Sequence, residues 1–377
     1  MSDQGLSREE LWNVVVAAEQ YDDTVHIDHS LFSSMLKRYV APMRFSRDTL
    51  FKHMLAGEAC LLTGFPQPAQ GELSDLPAED AGMAIMHWLA SRRSKETHRV
   101  FAGPTGVRRE LTLQEIAQKW RANRTRFGVT DLHIRESNME KVIAPDILSG
   151  FNLLRLSNQD AKDQEMFSFV ISSRGQVTDS HSDAPDSSNY CFTGQKYWLI
   201  WDTYEGAKCG LQDVDRVAVA GKASFDMERW LSLPSARWVV VNPGQTLFLP
   251  ANYTHKVITL ERYIGVGGFY IALPNCLRLM NHWITRGPLW LKRDRTGALN
   301  DLLGDIAQSI HDTIVDLRDA PSIEREKFGY DYLDEAAQVF IETCPEDRLS
   351  ALYADQRFRC IADLIEAPWP GQHQHAM

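Results

Sequence analysis

Apolar positions follow helical spacing in the first part of the chain and strand spacing in its middle. Ser7-Arg8-Glu9-Glu10 is a capping-box pattern ahead of an apolar-rich run to residue 18, which predicts a first helix. Residues 30–39, 46–56, 78–94 and 112–123 read as further helices, and 58–66 (EACLLTGFP) as a short buried strand ending at a Gly turn. The first 130 residues therefore read as mainly helical. From residue 166 to 273 the texture changes. MFSFVISS, KYWLIWDTY, RWVVVNP, TLFLP, HKVITL and YIGVGGFYIAL are short β-rich runs divided by Gly, Pro, Asn and Asp. Strands so closely spaced predict a sandwich or barrel. Helical patterning returns at residues 302–317, 332–343 and 345–365. The expected layout is a helical region over 1–54, a β-rich unit over 55–275 and a helical extension over 276–377, in the α+β class.

Composition narrows this picture in three ways. The chain has 377 residues, 44% apolar and 24% charged, enough for a large core without staples. Its net charge of −10 argues against nucleic acid as the main partner, because phosphate binding asks for a basic face. The six cysteines, Cys60, Cys191, Cys209, Cys276, Cys344 and Cys360, form no CxxC pair, and their scatter fits a reducing compartment. The polar start MSDQGLSREELW shows no signal peptide, and no apolar run reaches membrane-spanning length. A cytoplasmic protein with no membrane partner is expected.

Two His-x-Asp triplets invite a metal reading, and such triplets also occur by chance. Val25-His26-Ile27-Asp28-His29 lies between predicted helices, with no β framework around it. His181-Ser182-Asp183 lies between two strong strand signals. His255, in PGQTLFLPANYTHKV, opens a distant strand that can return beside the first. Two neutral imidazoles and one carboxylate hold Fe(II) on one face and leave the opposite positions open for a chelating cosubstrate and O₂. Lys196, at the start of the following strand, is placed to pair with a carboxylate. Strict alternation would put Thr178 and His181 on opposite faces, so both point inward only if a bulge or strand end intervenes near Asp179. The tail GQHQHAM, with His373 and His375, reads as a disordered end and not as a second metal site.

The spacing Thr178, His181, Asp183, Gly194, Lys196 and distal His255 resembles the JmjC-type, cupin-like Fe(II)/2-oxoglutarate oxygenases, closest to their hydroxylase branch. The close resemblance covers residues 167–273 and a looser one begins near Leu55. Fifteen residues after His26 stands Ala41, so the other triplet lacks the lysine. The resemblance implies a double-stranded β-helix (jelly-roll, cupin) core, with residues 55–275 as the catalytic domain. It also implies Fe(II) on His181, Asp183 and His255, and 2-oxoglutarate held through its C5 carboxylate by Lys196 and Thr178. An intact Asp183 disfavours the family's halogenases, and HxD in place of HxE favours hydroxylation over demethylation. Where the branch's asparaginyl hydroxylase carries Asn, six residues after His181, this chain carries Ser187.

The expected activity is therefore an O₂- and 2-oxoglutarate-dependent dioxygenase that hydroxylates a C–H bond and releases succinate and CO₂. Ser187, Asn189, Trp198 and Tyr270 are candidates for lining the substrate pocket, the aromatics serving equally well as core filling. The substrate stays open between a metabolite and a peptide side chain. Two rivals stand beside this reading: another metal cupin, such as an isomerase or a cosubstrate-free dioxygenase, and a non-catalytic binding protein on the same fold. The C-terminal helices serve either as a homodimer interface or as packing on their own domain.

Overall fold

The computed structural model describes residues 5–93, 95–102, 107–134, 139, 141–144, 167–183, 185–211, 225–291 and 298–367. His373 and His375 lie outside them. The strands are β1 (Pro42–Arg44), β2 (Cys60–Thr63), β3 (Thr97–Ala102), β4 (Val107–Thr112), β5 (Phe127–His133), β6 (Ser168–Ser172), β7 (Val177–Ser182), β8 (Asp186–Thr193), β9 (Lys196–Asp202), β10 (Arg237–Val241), β11 (Gln245–Leu249), β12 (Tyr253–Thr259) and β13 (Tyr263–Tyr270). Among the described residues they form two sheets. One runs β1-β2-β11-β8-β13-β6-β5-β3-β4 and the other β10-β9-β12-β7. The pairings are antiparallel except β1 with β2.

Alternation along the strands sorts side chains into an inner core and two outer ones. Trp198, Ile200, Val239, Val241, Leu247, Val257 and Tyr263 meet between the sheets. On the outer face of the smaller sheet, Tyr197, Leu199, Trp201 and Trp238 pack under α1 (Arg8–Glu19) and α2 (His29–Leu36). After α3 (Arg47–Ala56), α4 (Ala78–Ser91) and α5 (Leu113–Ala122) cover Tyr190, Phe192, Ile264 and Val266 of the larger sheet. Because both faces of β9 are covered, KYWLIW is an unbroken apolar run after its lysine. The capping box of α1 forms as its sequence predicts, Ser7 and Glu10 each accepting the other's backbone N–H.

Two short helices, α6 (Thr203–Lys208) and α7 (Met227–Ser232), follow β9. The C-terminal part holds α8 (Cys276–Leu291), α9 (Ala298–Arg318), α10 (Ser322–Phe328), α11 (Leu333–Thr343), α12 (Glu346–Ala354) and α13 (Gln356–Leu364). These helices share a core of their own, in which Ile310, Phe340, Leu352 and Phe358 meet Leu277 and Ile271. No helix among the described residues is long and apolar enough to cross a membrane. All six cysteines are unpaired.

The structure corrects the sequence expectation in several places. The five helices expected in the first 130 residues form, but β3, β4 and β5, which the sequence reading did not mark, extend the larger sheet. Their Arg- and Glu-rich runs sit at its outer end, where charge on a strand is tolerated. The polar stretch between Asp183 and Lys196 is more than a link between the two strands that the sequence marks. It contains β8, a central strand whose Ser and Asn residues hide the alternation. The run at 345–365 divides into α12 and α13 at Asp355, which caps the second through its bond from Arg357 N.

Candidate metal centre

The site is built on one edge pair of the smaller sheet. β12 returns antiparallel beside β7 with His255 opposite His181, so both imidazoles face the inner core. The next partners are Val257 and Thr178, and the register shifts between the two pairs. Three residues of β7 thus span two of β12, a bulge that puts Thr178 on the inner face with His181. The extra residue falls at Asp179–Ser180. Asp179 turns outward, its carboxylate accepting from Lys256 Nζ at 3.2 Å, and Lys256 also pairs with Asp22 at 2.7 Å. The carbonyl of the same Asp179 accepts from His181 Nδ1 at 2.8 Å. That bond fixes the tautomer and leaves Nε2 with its lone pair, as a metal ligand requires.

Asp183 follows directly after β7, with Oδ2 3.8 Å from His255 Nε2. The two imidazole rings stand edge to face with centroids 4.2 Å apart. The ligand atoms of His181, Asp183 and His255 all lie within 4.8 Å of one another, the one such group among the described residues. Burial, and then the neighbouring His181, holds His255 neutral far below the usual imidazole range. Two neutral imidazoles and a carboxylate are the donor set that a divalent first-row metal accepts, with one face left open.

Lys196 stands on the inner face of β9, in register with Thr259 of β12. Its strand is not adjacent to the one that bears His181, because β12 lies between them. Gly194 makes the preceding turn at φ 85°, where an added Cβ would fall 2.1 Å from the Arg262 carbonyl. The Lys196 side chain is 4% exposed, with Nζ 4.3 Å from the Tyr263 ring centroid. Among the described residues no carboxylate is paired with it, and burial pushes its pKa down to about 7. Tyr263, which the sequence reading did not single out, also donates its hydroxyl to Asn189 Oδ1. Its signal lay in strand alternation, since Tyr263, Gly265 and Gly267 take the inward positions of β13.

The other expected residues separate. Ser187 and Asn189 take inward positions on β8, opposite Leu249 and Leu247. Trp198 faces inward, its ring 5.2 Å from that of His255 and its buried Nε1 without an acceptor among the described residues. Tyr270 is not brought to this interior. It packs outside with Phe248, Leu50 and Met54 and bonds the Ser188 hydroxyl at 2.9 Å, because it takes an outward position on β13. The second His-x-Asp triplet does helix chemistry. Asp28 caps α2 through Ser30 N and Leu31 N, and exposed His26 pairs with Glu19.

Two facing antiparallel sheets, with a two-histidine, one-carboxylate group that could hold a metal on the inner face at one end, define a β-sandwich of the cupin class. A family model described as "Cupin-like domain" matches residues 67–276, more than half of the chain, and the protein belongs to that family. No curated protein matches it.

Proposed function

We propose that the protein is an Fe(II)- and 2-oxoglutarate-dependent oxygenase that hydroxylates a C–H bond. One observation carries the reading. Lys196 is a buried cation inside the same sandwich as the His-Asp-His group, and no described carboxylate neutralises it. An unpaired ammonium in an apolar interior is costly unless a ligand supplies the anion. A dicarboxylate that chelates a metal through one end and reaches Lys196 with the other fits this arrangement. A metal cupin without an acidic cosubstrate has no use for it.

In this reading His181, Asp183 and His255 hold the iron and Lys196 takes the C5 carboxylate of 2-oxoglutarate. Thr178, on the inner face beside Val257, supplies a hydroxyl donor to the same carboxylate. Trp198 and Tyr263 wall the cosubstrate and exclude water. Iron with 2-oxoglutarate supplies the oxidising chemistry when bound; the chain supplies orientation and a dry interior.

The test is anaerobic addition of Fe(II) and 2-oxoglutarate, followed by visible absorption, and then succinate release on admission of O₂. Wild type gives a weak metal-to-ligand charge-transfer band, and His181→Ala abolishes it. Lys196→Ala keeps Fe(II) but binds 2-oxoglutarate roughly 10- to 100-fold more weakly, the worth of one charged hydrogen bond. A wild-type protein without the band, or a band undiminished in His181→Ala, overturns the reading.

A further inference from the structure

One transverse row of the smaller sheet links the metal centre to a second feature. His181 pairs with His255, His255 with Ile200, and Ile200 with Arg237. Beyond β10 the sheet gains an isolated parallel bridge, Tyr39 to Trp238, made by Val40 N to Trp238 O and Trp238 N to Arg38 O. That register sets Arg38 beside Arg237. Tyr39 points outward onto the Trp238 ring, while Val40 packs with the inner core, so Arg38 and Arg237 both belong to the inner side. The row therefore carries two guanidiniums at one end and two imidazoles at the other, with Ile200 between.

The guanidiniums line a cleft of about 680 Å³ together with Lys37, His53, Glu58 and Tyr253. Tyr253 lies two residues before His255 on β12 and packs against the inner core, as does Ala59 in the cleft floor. The cleft thus adjoins the inner core onto which the candidate metal ligands face. Arg38 Nη1 and Arg237 Nη1 donate to one acceptor, the Pro234 carbonyl, at 2.8 and 2.9 Å, which holds the two cations side by side. Among the described residues neither they nor Lys37 is paired with a carboxylate. Glu58, the one acid in the lining, faces His53 Nδ1 at 3.4 Å. Three cations gathered in one cleft of a chain with net charge −10 focus potential on that spot.

We propose that this cleft is the substrate's anchoring site and that it takes an anionic oxygen group, carboxylate or phosphate, on Arg38 and Arg237. Two neighbouring guanidiniums recognise such a group in a way that one lysine does not. Arg237 and His255 are two strand spacings apart, about 10 Å. The substrate therefore bears its anionic group several bonds from the carbon that meets the metal. This names the substrate class and rests on the oxygenase reading; the anion site itself does not depend on it.

Metal-free protein titrated with inorganic phosphate, followed by ³¹P line width, reads the site alone, and a parallel titration with acetate, followed by ¹³C line width, distinguishes a carboxylated substrate. Saturable binding of either anion is expected. Arg38→Gln/Arg237→Gln weakens it by at least about tenfold, and Arg38→Lys/Arg237→Lys retains most of it. Arg38 is half-buried at the cleft rim, and Arg38→Gln alone keeps the test valid if the double variant does not fold. Binding of neither anion, or equal binding to the glutamine variants, overturns the proposal. With Mn(II) in the metal site, the bound anion's nucleus relaxes as expected at roughly 10 Å in wild type and not in the double variant. Enhancement that persists in the double variant puts the anion on the metal and overturns the proposal. Failure to bind Mn(II) sinks the metal reading and leaves the anion site standing.

Discussion

At the scale of single residues, Lys196 sets stability against function. Its pKa lies near 7 in the folded chain against an ordinary 10.5, so between these values the unfolded chain binds more protons. Stability therefore rises with pH across that window, and the cost of burying the ammonium is felt in full below about 7. Lys196→Met removes that cost. It should raise stability at pH 7 by about 2 kcal/mol, flatten the rise towards pH 10 and weaken 2-oxoglutarate binding roughly 10- to 100-fold, as denaturant titration and calorimetry would show. An anionic cosubstrate must bind to protonated Lys196, so at pH 8 binding takes up a proton and affinity falls as pH rises through 7. Calorimetry in buffers of different ionisation enthalpy reads that proton directly. Lys196 and the three metal-binding candidates were legible because their spacing in sequence is itself the signal. Arg38 and Arg237 were not, since a single parallel bridge brings them together from distant segments.

At the scale of elements, the β7 bulge lets Thr178 and His181 share the inner face, and its partners hold it in shape. Lys256 is 3% exposed and tied to Asp22 beyond α1 and to Asp179 in the bulge. Burial pushes the Asp22 carboxyl up, but Lys256 and Thr24 together hold it below the ordinary carboxylate range. Lys256→Met leaves Asp22 without its cation, so the stability that Asp22 gives above the carboxylate range, and that acid removes, is lost at neutral pH as well. It also frees Asp179, whose carbonyl fixes the His181 tautomer. We expect metal affinity to fall roughly 10- to 100-fold, as for the loss of an outer partner of a ligating histidine, measured by chelator competition. An unchanged affinity would show that the bulge holds without Lys256. Alternation argued from sequence could require such a bulge, because Thr178 and His181 have the wrong parity. It could not supply Lys256, which reads as an ordinary polar position in an apolar strand. Nor could it find β8, whose inward positions include Ser187 and Asn189: polar residues facing the interior erase the pattern by which strands are recognised.

At the scale of the whole molecule, the C-terminal helices are joined to the start of β12 by a buried polar chain. Arg348 of α12 donates through Nε to Asn281 Oδ1 of α8 at 2.8 Å and lies 3.8 Å from Asp202 Oδ2 at the end of β9. Asp202 accepts from Asn252 Nδ2 at 2.6 Å, and Asn252 Oδ1 accepts from His282 Nδ1 of α8 at 2.7 Å. Asn252 holds φ at 74°, a left-handed turn residue immediately before the strand that carries His255. Burial raises the Asp202 carboxyl above its ordinary range, and Arg348 is the largest influence opposing that rise. A raised folded pKa means that stability is lost as pH rises through it. Arg348→Met removes the opposition and lifts that pKa further, so the variant should be near wild type at pH 5 and about 3 kcal/mol less stable at pH 8. The loss should be local first: limited proteolysis at pH 8 should cut the C-terminal helices before the sandwich, while metal affinity declines as Asn252 loses its fixed partner. Equal losses at both pH values would mean that Arg348 acts through packing on Tyr204, whose ring lies 4.7 Å from the guanidinium, and not through Asp202. The pH dependence thus separates a helical extension that merely covers the sandwich from one that sets the turn ahead of His255, a candidate metal ligand.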